Sequence, residues 1–577
     1  MTSTQAGTSG LEADTTPNVE TYIELSVENP DSILPNTMVP QSQHPSKPWK
    51  NFQSFGGHPF PMPSTSFTIF DDLQDVISRG LVTLEKAEES VQHFRSTASN
   101  SPFVIISPGT SIDYLRRQKP FLLLNVLAMA TVNNMKLQKL LDQEIRDTLG
   151  RRVFMSGEKS LDLLQGILIY LTWHHFFFEP EHQQIYQLCQ LAASMAIDLE
   201  ITTSQQDRKH TPSTSFNLLS VIAESPVKLS SSQDAEAKRA LLGCYYITST
   251  LCIGLRKPNN IKYTSYTDEC CQVLAAAQEF ESDALIPYFV RLQKLAHDIN
   301  QTFDYDGHQD LASLDPVRVD MLVKAFKQQL GEFEKTFPAE IWKHDMLRLA
   351  YYHLCTFVNE VGFHRTVLPP PDLRTDQSSY HTWDSSITRS EVLISCLNAA
   401  KDYLERYLSL PTEALFNATF ADHAKLVYNV LILKLFATWV TDDHSTLDAA
   451  HIQHSANFLF YTQALVCKFE SMGKIYRDCG LLEDYTLYLA QLFRIYESRA
   501  RDEMGARQFS TNICLDMSVM QMLPSNASCH GQHSSYDPRP PTVVQTQEHS
   551  EEQWADMLVR WSPSLDQHDL SSEALFT

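Results

Sequence analysis

Three groups of residues in this sequence have the types and spacing to do chemistry. Asp71-Asp72-Leu73-Gln74-Asp75 sets carboxylates one helical turn apart, an arrangement that can hold magnesium against a diphosphate. His174, His175, Glu179, Glu181 and His182 crowd metal-ligating side chains into one short stretch. Cys270-Cys271 is a vicinal thiol pair. Each group lacks something its chemistry needs. The acidic run requires a second motif on a facing helix, and the nearest one, Asp442-Asp443 through Thr446, ends on Ala450 where a ligand should stand. Pro180 interrupts the histidine stretch, so its side chains share no regular helical face. Adjacent cysteines do not make the C-x-x-C frame that zinc prefers.

The acidic run matches the DDxxD pattern and so resembles that of the terpenoid synthases, which are also all-helical. The resemblance implies an alternative reading: an enzyme using Asp71, Asp72 and Asp75 for magnesium. A solvated acidic helix start accounts for the run more simply, because carboxylates favour helix N-termini. No glycine cluster precedes a helix to cradle phosphate, no nucleophile elbow occurs, and no spacing singles out a Ser/His/Asp triad. The sequence therefore points to no enzyme, no catalytic residue, no cofactor and no metal.

The elements that would position such groups are helices. Leu73, Val76, Ile77, Leu81, Leu84, Val91 and Phe94 recur at helical spacing, with Gly80 breaking the run and Thr83 placed to cap a second helix. Pro102 to Ile106 reads as an extended apolar segment packed on helices. Phe121 to Thr131 is apolar on nearly all sides and predicts a buried helix, as do Lys159 to Trp173 and Gln183 to Leu199. Further helices are expected over Ala235–Ile253, from Asp315-Pro316 onward, and over Val392–Leu408, Ala421–Val440, Ala450–Met472 and Leu481–Arg499. No strand-rich block and no repeat interrupts them. The expected fold is all-α: a large helical array over 67–505 between a disordered polar tail, 1–66, and a second disordered tail, 506–577.

Near the end, Trp554, Met557, Leu558 and Trp561 fall at i, i+3, i+4, i+7 among Glu548, Glu551, Glu552, Asp556, Asp566 and Asp569. Such a segment can fold as a helix into a partner's groove, the physical pattern of a transcription-activation segment. The same spacing fits a terminal helix docked on the body, and the sequence leaves both readings standing.

The formal net charge is −23 over 577 residues. Readers of DNA usually carry a concentrated basic face, and here the densest basic spots are Arg116-Arg117-Gln118-Lys119, Arg151-Arg152 and Arg256-Lys257, each expected as a solvated helix end. Little direct DNA binding is expected of such a chain. Residues 1–30 lack a basic start and an apolar run, so no signal peptide is expected, and the 11 cysteines should be reduced and mostly buried. The best candidate membrane span, Leu426–Val440, is broken by Asn429 and Lys434, so no membrane segment is expected.

Several stretches together resemble the regulatory middle region of fungal binuclear zinc-cluster transcription factors. They are Glu158 to His175, Gln184 to Ala192, Met195 to Leu199, Ala237 to Tyr246 and Gly254 to Pro258. Pro102 to Ser107, Pro120 to Leu124 and Ala424 to Tyr428 add to the likeness, which covers roughly 67–500. The resemblance implies a nuclear regulator of transcription with a helical body, and a metabolic or secondary-metabolite gene cluster as its target. It also implies an N-terminal six-cysteine zinc cluster. No cysteine precedes Cys189 and no basic run precedes Arg116, so no zinc ligand or DNA contact is carried over. The expected partners are other transcription factors or co-regulators, in a homo- or heterodimer.

Overall fold

The structure, a computed structural model, describes residues 75–131, 134–177, 184–204, 231–303, 305, 316–363, 387–438, 449–475, 493, 494 and 498. All of the regular structure among them is helical.

The first helices are α1 (Leu84–Ser96), α2 (Ile112–Gln118), α3 (Pro120–Ala130) and α4 (Met135–Leu149). Local chemistry sets where they begin. Thr83, Ser111 and Asn134 each accept an amide of the first turn on a side-chain oxygen, and Pro120 opens α3 where its missing N–H is no loss. Gly80, at φ 72°, makes the left-handed turn that stops the preceding segment, as its position suggests. Residues 76–82 form turns and bends and no helix. Pro102 to Ile106 forms no strand but buries Phe103, Val104 and Ile106 against the helices.

α4 runs directly into a π-helical turn, Gly150–Met155, and Gly157 at φ 64° ends it. α5 (Leu161–Thr172) and α6 (Ile185–Asp198) come after it, then the long α7 (Ser231–Gly254). All residues of α5 are buried, as are Phe121 to Met129 of α3. A helix apolar on every side must sit inside others, and α3 and α5 do so: they pack on each other, with α1 and α4 covering α3 and α6 and α7 covering α5.

α8 (Ser265–Ala277), α9 (Ile286–Phe303), α10 (Pro316–Thr336), α11 (Ala339–Trp342) and α12 (Asp345–Phe357) come next. After them stand α13 (Ile387–Ser409), α14 (Thr412–Phe416), α15 (Phe420–Ala437), α16 (Ala449–Ala456) and α17 (Phe458–Ile475). The run expected over 450–472 is divided in two at Asn457, which takes φ 47°. Thr419 and Asp422 open α15 with a capping box. α15 is the axle of this part. Its residues are nearly all buried, and it touches α12, α13, α16 and α17 from the later chain and α5 and α7 from the earlier chain. No described helix is long and apolar enough to cross a membrane.

Candidate functional site

The stretches that carry the family likeness turn out to be the points where helices lock together. Asp162, in the first turn of α5, is buried. It accepts the amides of Phe121 and Leu122 at 3.2 and 2.8 Å and so caps the N-terminus of α3 from another helix. Arg152 donates to its carboxylate at 2.9 Å and also grips Glu158. Burial pushes the Asp162 carboxyl up, against the opposing pull of those amides and of Arg152. Gly166 lets α3 approach: a Cβ there would lie 2.3 Å from the Phe121 ring. Gly243 does the same for Phe103, whose ring stacks on Tyr246 at 5.1 Å. Arg239, 4% exposed, forks onto Asp283 at 2.7 and 2.9 Å, with Glu279 at 2.7 Å.

The basic spots meet their expectation as solvated ends at Arg117 and Lys257, which are exposed, but one residue of each spot departs from it. Lys119 is buried between Gln165 and Glu236. Arg152 is held by two carboxylates. Arg256 turns inward at φ 52° onto Glu360. Lys119 and Arg256 look surface-like in sequence because their carboxylate partners, Glu236 and Glu360, are distant along the chain.

Arg256 belongs to a buried polar centre along α15. Glu360 accepts from Arg256 at 2.5 Å and from the Tyr428 hydroxyl at 2.8 Å. Lys425, one turn before Tyr428, donates to Tyr246 at 3.3 Å and to Asp422 at 3.4 Å. Asn429 lies 3.3 Å from His353. The His423 ring meets His175 edge-on at 5.1 Å, and His174 packs edge-on against Tyr170 and Phe420. Burial drives the imidazoles of His353 and His423 toward the neutral form: His353 is pushed down to about 3, with the Lys425 cation adding to the effect, and His423 to about 4. His175 is likewise lowered, by burial and by its histidine neighbours. A cleft opens beside this centre among α7, α9, α12 and α15. Only about 60 Å³ of it admits the centre of a water molecule, enough for one or two waters and far below what a typical ligand site offers.

A second concavity lies between α4, the π-helical turn, α5 and α6. It is larger, about 320 Å³, and is floored by Ile145, Leu149, Leu188 and Leu191. Phe154 stands at its edge with 76% of its surface exposed, and Met155 beside it with 82%.

Of the residues marked for chemistry, Asp71, Asp72, Glu179, Glu181, His182, Asp442 and Asp443 lie outside the described residues, as do Trp554, Met557, Leu558 and Trp561. Asp75 is described, and Arg116 takes it: the guanidinium donates to both its oxygens, at 2.5 and 3.0 Å. Burial would raise its carboxyl, but Arg116 and Ser78 outweigh that and hold it below the usual carboxylate range. Cys270 and Cys271 are buried free thiols, pushed up by burial to about 11 and about 12. Among the described residues no three His, Cys, Asp or Glu side chains are grouped to hold a metal ion.

These interlocked helices define a regulatory body of the fungal transcription-factor type. The chain belongs to the WAR1 C-terminal domain family, whose model matches residues 65–509. It is 27% identical to transcription factor himD of Aspergillus japonicus over 66% of this chain and 60% of that protein. It is 24% identical to transcription factor opdL of Penicillium oxalicum, over 68% of this chain and 66% of that one. Likeness extends to weak acid resistance protein 1 of Saccharomyces cerevisiae, at 20% over 63% of this chain and 40% of that protein. The chain thus spans about 60% of the length of the first of these relatives. No solved structure matches it. Both himD and opdL carry the names of transcription factors, not enzymes, which overturns the terpenoid-synthase alternative built on Asp71, Asp72 and Asp75.

Proposed function

We propose that this chain is a nuclear regulator of transcription whose helical body works through protein contacts, with other transcription factors or co-regulators as partners. A metabolic or secondary-metabolite gene cluster is its target. Family membership over most of the chain carries the reading. The polar residues of the family-like stretches support it, because they are spent on holding helices together. Asp162, Arg239 and Arg256 each satisfy a buried partner, which leaves them no role toward a substrate. The basic side chains Lys119, Arg152 and Arg256 are neutralised inside, and the net charge of −23 opposes approach to phosphates.

The test has two parts. Purified full-length protein titrated with duplex DNA at low salt should bind negligibly alone and be retained on DNA when nuclear extract supplies a partner. Deleting the gene should change the transcripts of a gene cluster. Tight sequence-selective binding by the chain unaided, or an unchanged transcriptome, would remove the reading.

A further inference from the structure

We infer that the groove between α4, the π-helical turn and α6 is the docking site for this chain's own C-terminal segment, Trp554 to Trp561. The inference deepens the activation reading of that segment by giving it a resting place, but docking stands or falls separately.

Three observations meet here. The first is the groove itself. At about 320 Å³ it has room for large side chains, and Ile145, Leu149, Leu188 and Leu191 make its floor apolar. π-helical turns are rare and recur at functional positions; this one holds Phe154 and Met155 out in solvent at the rim, 76% and 82% exposed. Aromatic and methionine side chains left so exposed beside an apolar floor mark a surface built to be covered.

The second observation is charge. Lys139 and Arg146 lie on one face of α4, seven residues apart, and Arg146 lines the groove. Arg151 stands next on the π-helical turn, with Glu144 no closer than 3.6 Å. Asp142 pairs with the groove-lining Arg146 at 2.9 Å, while Glu144, shared between Arg79 and Arg151, lies on the other face of α4. Arg146 is thus the one cation among the described residues that line the groove, with Lys139 two turns before it on the same face, in a chain whose total is −23. The segment is its complement: Trp554, Met557, Leu558 and Trp561 form an apolar helical stripe, flanked by Glu548, Glu551, Glu552 and Asp556 with only Arg560 against them.

The third is reach. The stretch from Ser498 to Trp554 extends to at most roughly 190 Å, several times the length of any helix in the body. Attachment to the same chain raises the segment's concentration at the groove, so a weak docking helix suffices.

A fluorescein-labelled peptide of residues 545–569, titrated into full-length protein and followed by anisotropy, tests this. The wild-type groove, filled by its own tail, should bind the peptide at least about tenfold more weakly than the Trp554→Ala/Trp561→Ala protein. Adding Phe154→Glu to that double variant should weaken peptide binding by at least about tenfold again. Phe154 is mostly solvent-exposed, so an unchanged melting curve is expected and separates lost docking from lost folding. Equal peptide affinity for wild type and the double variant would overturn the inference. So would peptide binding indifferent to Phe154→Glu, or none to either protein. Residues 545–577 fused to an unrelated DNA-binding domain read activation on their own: a silent fusion with a docking peptide counts against activation alone, and an active fusion whose peptide ignores the groove counts against docking alone.

Discussion

Arg256 and Glu360 meet at 2.5 Å in the interior although 104 residues separate them in the chain. Arg256 closes α7 in a left-handed conformation that a side-chain-bearing residue adopts at some energetic cost. Its guanidinium lies over Tyr305, and Glu360 completes its charge balance with Tyr428 as a second donor. The link joins α7 to the turn after α12 beside α15, the axle of the fold.

Breaking that pair from one side strands a buried charge. Arg256→Met and Glu360→Gln should each destabilise the protein by roughly 3–5 kcal/mol. The double variant should lose less than the sum, and a urea-denaturation double-mutant cycle measures the difference. Additive losses would mean the two residues act independently.

Gly166 leaves no room for a side chain against Phe121 as the helices stand. Gly166→Ala would put a methyl 2.3 Å from the Phe121 ring, so a helix or the ring must shift. A loss of about 1–3 kcal/mol is expected. Phe121→Leu in the same chain should recover part of it, as read by the denaturation midpoint. At Gly331, where an added Cβ meets nothing, the same substitution should be harmless or stabilising.

Acid should weaken the fold through its buried histidines. His353 and His423 are pushed down to about 3 and about 4, below the usual imidazole value of 6.5. Between 6.5 and 4 the unfolded chain binds protons that the folded chain refuses, so stability rises with pH across that window and falls as pH drops through it. Above it the two states bind alike and the effect vanishes. Urea midpoints measured at several pH values should show the slope, and His423→Phe should flatten it relative to wild type. An unchanged slope in that variant would show the histidine to be solvated.

Asp75 accepts from Arg116 and is expected to serve structure. Asp75→Ala removes the acceptor of Arg116 on a half-buried surface, for a loss of about 1 kcal/mol or less. Magnesium should leave the thermal midpoint of wild type and variant alike. A magnesium-dependent rise lost in the variant would restore the metal reading.

The all-helical class and the buried helices were legible because apolar periodicity and local caps are local signals. Thr83 and Pro316 announce helix starts within a few residues of themselves. Leu161–Thr172 and Pro120–Ala130 announce burial by lacking a polar face. The polar centre was not legible. A pair such as Arg256-Lys257 looks solvated until Glu360 is brought to it, and Asp162 looks like an ordinary first-turn acid until α3 arrives with two bare amides. Asn457 divides α16 from α17 with nothing but a tolerance for positive φ to betray it. The groove beside Phe154 was equally hidden, since an apolar residue next to a helix end reads as core.

The placement of α15 bears on how the protein is made. A ribosome that has delivered everything before Phe420 has produced helices grouped around a space whose filling has not been synthesised, with Tyr246, His175 and Glu360 waiting for side chains still in the tunnel. The helices that pack on α15 should therefore stay loose and chaperone-bound until late in translation, and a transcript cut short before Phe420 should yield a product that is degraded, not a smaller working regulator.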